Sequence, residues 1–146
     1  MFLKQISIFV ENQPGGLAVI TSHLAKGNID LRALSIADTA DYGILRIIVD
    51  NTDKAMDVLG SHGIMCSVTE VIAAKIPDVP GSLSRVLELL SAEGIGVEYV
   101  YAFLANDKDN AYVVIRVEDE NNEKAANILV SNGIAAAVDG ELFKQD

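Results

Sequence analysis

The strongest constraint on the fold of this chain is that its sequence is written twice. Pro14-Gly15-Gly16-Leu17 returns as Pro80-Gly81-Ser82-Leu83, and at the same offset Ile20 meets Val86, Leu24 meets Leu90, Ile29 meets Ile95 and Leu31 meets Val97. After a two-residue insertion, Arg46-Ile47-Ile48-Val49-Asp50 meets Val114-Ile115-Arg116-Val117-Glu118. After another, Lys54-Ala55 meets Lys124-Ala125, Leu59 meets Leu129, and Gly63-Ile64 meets Gly133-Ile134. Both insertions fall where loops are expected, at residues 107–110 and 119–123. Self-similarity of this kind marks repeated structural units. The boundary lies near residues 71–74, so the expected domains are residues 1–71 and 72–146.

Each copy carries the same pattern. Residues 4–10 alternate, with Ile6, Ile8 and Val10 on one face, which predicts a strand. Leu17, Ile20, Thr21, Leu24 and Ala25 have helical spacing, as do Leu83, Val86, Leu87 and Leu90. These helices stop at Gly27-Asn28 and at Gly94, residue types that suit a left-handed C-cap. Residues 31–36 and 44–49 read as strands around a polar turn at 38–43, and their counterparts flank 106–110. A second helix over 53–61 points Ala55, Val58 and Leu59 inward, with Asp53 and the Asn121-Asn122 pair as N-cap candidates. Gly63 and Gly133 close the second helices, and last strands follow near 66–73 and 135–143. The order β-α-β-β-α-β predicts an α+β fold of two ferredoxin-like repeats, antiparallel sheets with helices on one face. One copy alone has a small core, so the two are expected to pair intimately. The junction at 68–76 has no Gly- or Ser-rich linker and reads as nearly one continuous strand.

Apolar residues make up 50% and charged residues 22%, the balance of a globular chain. Eleven basic residues face 21 acidic ones, for a net charge of −10. That argues against nucleic acid and anionic membrane surfaces as partners, both of which select clustered Lys and Arg. The acidity favours solubility. Cys66 is the single cysteine, which excludes a disulfide framework or a thiolate metal cluster within the chain. The first residues alternate apolar and polar and lack the pattern of a signal peptide. No apolar stretch is long enough to span a bilayer, and the expected compartment is the cytoplasm.

The best-matched segment is the loop between first strand and first helix: Glu11-Asn12-Gln13-Pro14-Gly15-Gly16-Leu17, and Pro77-Asp78-Val79-Pro80-Gly81-Ser82-Leu83. Pro14 and Pro80 set the turn, the next glycine is free to take a positive φ, and Gly16 and Ser82 open the helix. A helix start presents unpaired N–H groups and the positive dipole end, which suit a carboxylate or phosphate. Asn12 and Asp78 place a side-chain oxygen beside it, able to accept from an ammonium group. Together these match the α end of a free amino acid. The same residues also make a good turn and cap with no ligand at all, and both copies need a turn.

The pattern polar-x-Pro-Gly-x-Leu after a strand, an amphipathic helix, and then Gly-Asn-Ile-Asp-Leu or Gly-Ile-Gly-Val entering a strand resembles the ACT domain, over nearly the whole chain and in two copies. The resemblance implies binding of free amino acids at domain–domain interfaces and regulation of amino-acid metabolism. It implies ligand contacts at Asn12, Gln13, Pro14, Gly15, Gly16 and Leu17, with Asn28, Ile29, Asp30 and Leu31. In copy two the implied contacts are Asp78, Val79, Pro80, Gly81, Ser82 and Leu83, with Gly94, Ile95, Gly96 and Val97. Two departures stand out. The family's usual loop acid is Asn12 in copy one, and neither copy keeps the Asn of the family's Gly-Ile-Asn-Ile. The two sites are therefore expected to be unequal.

Other constellations carry less. His23 and His62 suit surface or capping roles, and Tyr99 and Tyr101 suit packing on a sheet face that borders a neighbour. Cys66 reads as a small buried hydrophobe, and Asp107-Lys108-Asp109-Asn110 as a hairpin turn rather than a metal loop. There is no Gly-Lys-Ser or Gly-Lys-Thr phosphate loop, no dinucleotide turn, no aromatic RNA-binding strand and no CxxC pair, so no cofactor or metal is expected. No acid, base and nucleophile set is evident. The leading expectation is a non-catalytic, homodimeric regulatory protein that senses a free amino acid and acts on a separate enzyme or through its own assembly. The alternatives are a structural interaction module with no small-molecule ligand and, last, a small enzyme.

Overall fold

A computed structural model describes residues 1–38, 41–103 and 107–137. The chain divides into two compact units, Lys4–Thr69 and Glu70–Asp146 with Met1–Leu3. Each has the ferredoxin-like order read from the sequence.

The first unit runs β1 (Phe2–Glu11), α1 (Gly16–Lys26), β2 (Leu31–Asp38), β3 (Tyr42–Val49) and α2 (Thr52–Ser61), and enters β4 (Cys66–Pro77). β3 is paired antiparallel on both sides: Ile6 and Ile8 of β1 face Ile47 and Leu45, and Ile36 and Asp38 of β2 face Leu45 and Gly43. The helices bury Ile20, Leu24, Ala55 and Leu59 against Ile6, Ile8, Val10, Leu45, Ile47 and Val49. Alternation on the strands and 3.6-residue spacing on the helices point these side chains into one layer.

The second unit continues from β4 through α3 (Ser82–Ala92), β5 (Val97–Phe103), β6 (Asn110–Val117), a short 3₁₀ turn (Asp119–Asn121), α4 (Asn122–Ser131) and β7 (Ala135–Ala136). β6 lies between β5 and β4, and β7 pairs with the other side of β4. The Met1 carbonyl also accepts from the Ala73 N–H at 2.8 Å. Its core repeats the first position for position. Ile72, Ala74, Ile76, Val86, Leu90, Ile95, Val113, Ile115, Val117, Ala125 and Leu129 stand where copy one has Ile6, Ile8, Val10, Ile20, Leu24, Ile29, Leu45, Ile47, Val49, Ala55 and Leu59. The matched pairs read from the sequence are thus core pairs.

The junction is a single strand, β4, as its composition predicts. β2 and β3 run further toward each other than the alternation indicated, to Asp38 and from Tyr42, because ladder pairing holds polar residues as readily as apolar ones. The cap of α2 is Asn51 rather than Asp53. Asn51 is extended, and its side chain accepts from the Lys54 N–H at 3.1 Å, while Asp53 sits in the first turn. At α4, Asn121 is the N-cap residue but makes no side-chain cap, because the 3₁₀ turn runs directly into the helix. The left-handed residue after α1 is Asn28, at φ 56°, and not Gly27. Gly27 instead lies against α2, where a Cβ would meet a Val58 methyl at 3.0 Å. Turn residues 39–40, residue 106 of the second hairpin, and 138–143 of the expected last strand lie outside the described residues. Among the described residues no helix is long and apolar enough to cross a membrane.

Candidate functional site

The two Pro-Gly segments fold into the same elbow. The Gln13 carbonyl accepts from the Gly16 N–H at 3.2 Å, and the Val79 carbonyl from the Ser82 N–H at 3.3 Å. Gly15 sits at φ 85°, ψ −6° and Gly81 at φ 93°, ψ −10°. These are the third-position angles of a type II turn with proline second, which glycine adopts without strain. The residue after each elbow opens the helix, and neither α1 nor α3 receives a side-chain cap. The first-turn amides of Leu17 and Ala18, and of Leu83 and Ser84, are left at the positive end of the helix dipole. α2, capped by Asn51, is built differently. Gly16 also packs closely: a Cβ there would stand 3.0 Å from the Glu11 carbonyl oxygen.

Beside the first elbow is a cavity of about 110 Å³, lined by Val10, Glu11, Asn12, Gln13, Leu17, Ile36, Asp38 and Gly43. Four of these, Glu11, Asn12, Gln13 and Leu17, belong to the loop segment read from the sequence, and Val10 ends the strand before it. Ile36, Asp38 and Gly43 were missed there. Ile36 and Asp38 lie at the end of β2 and Gly43 is the second residue of β3, and they arrive through ladder register, which local spacing does not reveal. The Gln13 side-chain amide donates to the Glu11 carboxylate. Leu17 and its counterpart Leu83 remain substantially exposed, at 40% and 39%.

The second segments named in the sequence lie elsewhere in their own units. Asn28, Ile29, Asp30 and Leu31 follow the C-terminal end of α1, and eleven helical residues set them roughly 16 Å from the elbow. Ile29 is core, and the Asp30 N–H donates to the Asp50 carboxylate at 3.0 Å. Likewise Gly94, Ile95, Gly96 and Val97 follow α3, with Ile95 in the core. Within one unit, then, elbow and post-helix segment stand at opposite ends of one helix. What stands next to the first elbow is the far end of β2.

Of the remaining candidates, His23 and His62 form a stacked pair with ring centroids 3.6 Å apart, a contact the sequence did not signal. His62 Nδ1 lies 2.9 Å from the Val58 carbonyl, a capping contact. Desolvation, then the charges of His62 and Lys26, hold His23 below the ordinary histidine value. Burial pushes the Cys66 thiol up, and its Sγ contacts Met56 Sδ at 3.6 Å. Asp107 closes the second hairpin. Its carboxylate accepts from Asn110 Nδ2 at 2.8 Å and from the Asp109 N–H at 2.9 Å, bonds that hold it below the usual carboxylate range. Tyr99 and Tyr101 stack along β5 at 6.4 Å. Among the described residues no group of three metal-ligating side chains comes together.

A family model for the ACT domain pair matches residues 1–145. Protein BT0572 from Bacteroides thetaiotaomicron is 42% identical, with a TM-score of 0.88 over 99% of this chain and 98% of that one. The ligand-free regulatory subunit of aspartate kinase from Thermus thermophilus is 17% identical, with a TM-score of 0.61 over 88% of this chain and 90% of that one. The corresponding subunit from Thermus flavus is 16% identical, with a TM-score of 0.61 over 88% and 90%. At such identity the likeness to the kinase subunits is one of fold. No curated protein matches the chain. Because the family model spans both copies of the repeat, the chain belongs to the ACT domain pair family.

Proposed function

We propose that this protein is a non-catalytic regulator that binds a free amino acid at its Pro-Gly elbows. It passes that signal to an amino-acid metabolic enzyme or to its own assembly. The observation that supports this most directly is the first elbow itself, a helix start with no side-chain cap that opens beside a cavity of about 110 Å³. The ligand carboxylate accepts from the first-turn amides of α1, where the dipole adds to the attraction. The ammonium group lies toward the oxygen-bearing wall of the cavity. At the second elbow, Asp78 provides a carboxylate for the same end of the ligand.

The elbow and the post-helix segment stand apart within a unit, so Asn28 to Leu31 and Gly94 to Val97 contribute to ligands held at another ACT domain, one from a second copy of the chain. That separation supports a homodimer with the ligand at the boundary and its binding coupled to assembly. Coupling of this kind is typically ~1–3 kcal/mol. Exposed Leu34 and Ile36 on β2, at 56% and 44%, give the alternative of a pure interaction module its support, since they are apolar surface fit for a protein partner.

Thermal melting against each of the twenty amino acids separates the two. At a hundredfold excess over Kd, binding adds ~2.7 kcal/mol, a rise of several degrees in a domain this size. A rise with one or a few amino acids is the expected result. A flat response to all twenty, with a partner enzyme still captured, would establish the interaction module instead.

A further inference from the structure

We infer that the cavity of the first unit holds the ligand's ammonium group on Asp38, and that it accepts amino acids with neutral or cationic side chains while rejecting acidic ones. This rests on the amino-acid reading above and names the selectivity of that site.

The two elbows differ at one position that matters for charge. Copy two carries Asp78, and copy one carries the neutral amide of Asn12. The cavity wall of copy one restores the missing charge from another strand. Asp38 is the last residue of β2, and period-two alternation puts it on the same strand face as Ile36, which also lines the cavity. Its ladder partner is Gly43, which leaves that wall without a side chain. Among the described residues Asp38 makes no ion pair, whereas Glu11 already accepts from Gln13. An ammonium group beside Asp38 forms a charge-assisted hydrogen bond, about twice as strong as a neutral one.

The same wall sets selectivity. Among the described residues its lining includes two carboxylates, Glu11 and Asp38, and no Lys, Arg or His. A ligand side chain bearing a third carboxylate meets repulsion from both, and the chain's net charge of −10 adds to it. Val10, Leu17 and Ile36 supply apolar contact instead.

Calorimetric titration of the full chain with glycine, alanine, leucine, lysine, aspartate and glutamate tests this, using an Asp78→Ala background to weaken the second elbow. Neutral or basic ligands are expected to bind at least tenfold more tightly than aspartate and glutamate. Adding Asp38→Asn is expected to weaken binding at least tenfold with the ligand-free melting temperature unchanged. Asn12→Asp in that variant is expected to recover binding, since it gives copy one the carboxylate that Asp78 supplies in copy two. Gly43→Ala is expected to weaken binding too. Its Cβ meets a methyl of Ile36 at 3.6 Å, an ordinary contact that the fold tolerates. Equal affinity with and without Asp38, or tightest binding of an acidic ligand, would overturn this inference while leaving amino-acid sensing intact. Failure of every amino acid to bind the unaltered chain would overturn both.

Discussion

The backbone N–H of Asp78 donates to the carbonyl of Asp109 at 2.9 Å, which ties the second elbow to the β5–β6 hairpin. Its twin in copy one is Asn12 on Asp41, at 3.2 Å. The tie runs through the main chain and does not use the Asp78 side chain. Asp78→Ala should therefore leave the melting temperature nearly unchanged. It should weaken amino-acid binding at the second elbow about tenfold or more, the worth of one hydrogen bond to a charged group. Unchanged affinity by calorimetry would place the site elsewhere.

The elbows themselves are sensitive to any Cβ. Gly81 stands at φ 93° with open space around it, so Gly81→Val is strained by backbone conformation alone, at about 1–2 kcal/mol. The chain should still fold and bind its ligand less well. Gly16→Ser is different in kind, because its Cβ meets the Glu11 carbonyl oxygen at 3.0 Å. Crowding of that sort costs roughly 1–3 kcal/mol. Ser82→Gly, at the equivalent place in copy two, should cost less than that. Urea unfolding of the variants measures the contrast.

The lowered titration of His23, through desolvation and then the charges of His62 and Lys26, makes stability depend on pH. His23 is held below its ordinary value of 6.5 in the folded chain, so the folded state binds a proton less readily than the unfolded one. Its contribution is present above pH 6.5 and is lost as pH falls through and below that value. Melting temperatures taken from pH 8 to pH 5 should drop at the acid end, and His23→Gln should flatten that part of the curve. An identical drop in the variant would assign the effect to the carboxylates.

Leu59 and Leu129 are twins, each fully buried in the core of its own unit. Leu59→Ala and Leu129→Ala should each cost about 2–5 kcal/mol, by lost burial and the cavity left behind. Denaturant titration should give similar losses for both. A large asymmetry would mean that the two units are not equivalent in packing.

The α2 cap offers a smaller test. Asn51→Ala should cost about 1 kcal/mol, since it orphans the Lys54 N–H, and Asp53→Ala should cost less because Asp53 only favours the dipole. The reverse ranking in thermal melts would restore Asp53 as the cap.

The sequence by itself determined the duplication, the strand and helix order, the elbows at Gly15 and Gly81, and the matched core from Ile20 and Val86 to Leu59 and Leu129. These follow from neighbours a few residues apart: side-chain periodicity, turn geometry and helix ends are local physics, and the repeat showed each twice. The tertiary structure alone decided that Ile36, Asp38 and Gly43 wall the first cavity, that Asn28 to Leu31 stand a helix length away from Asn12 within the unit, and that His23 lies on His62. Those pairings depend on strand register and on helices packed side by side, which join residues distant in the chain and leave no mark in local spacing.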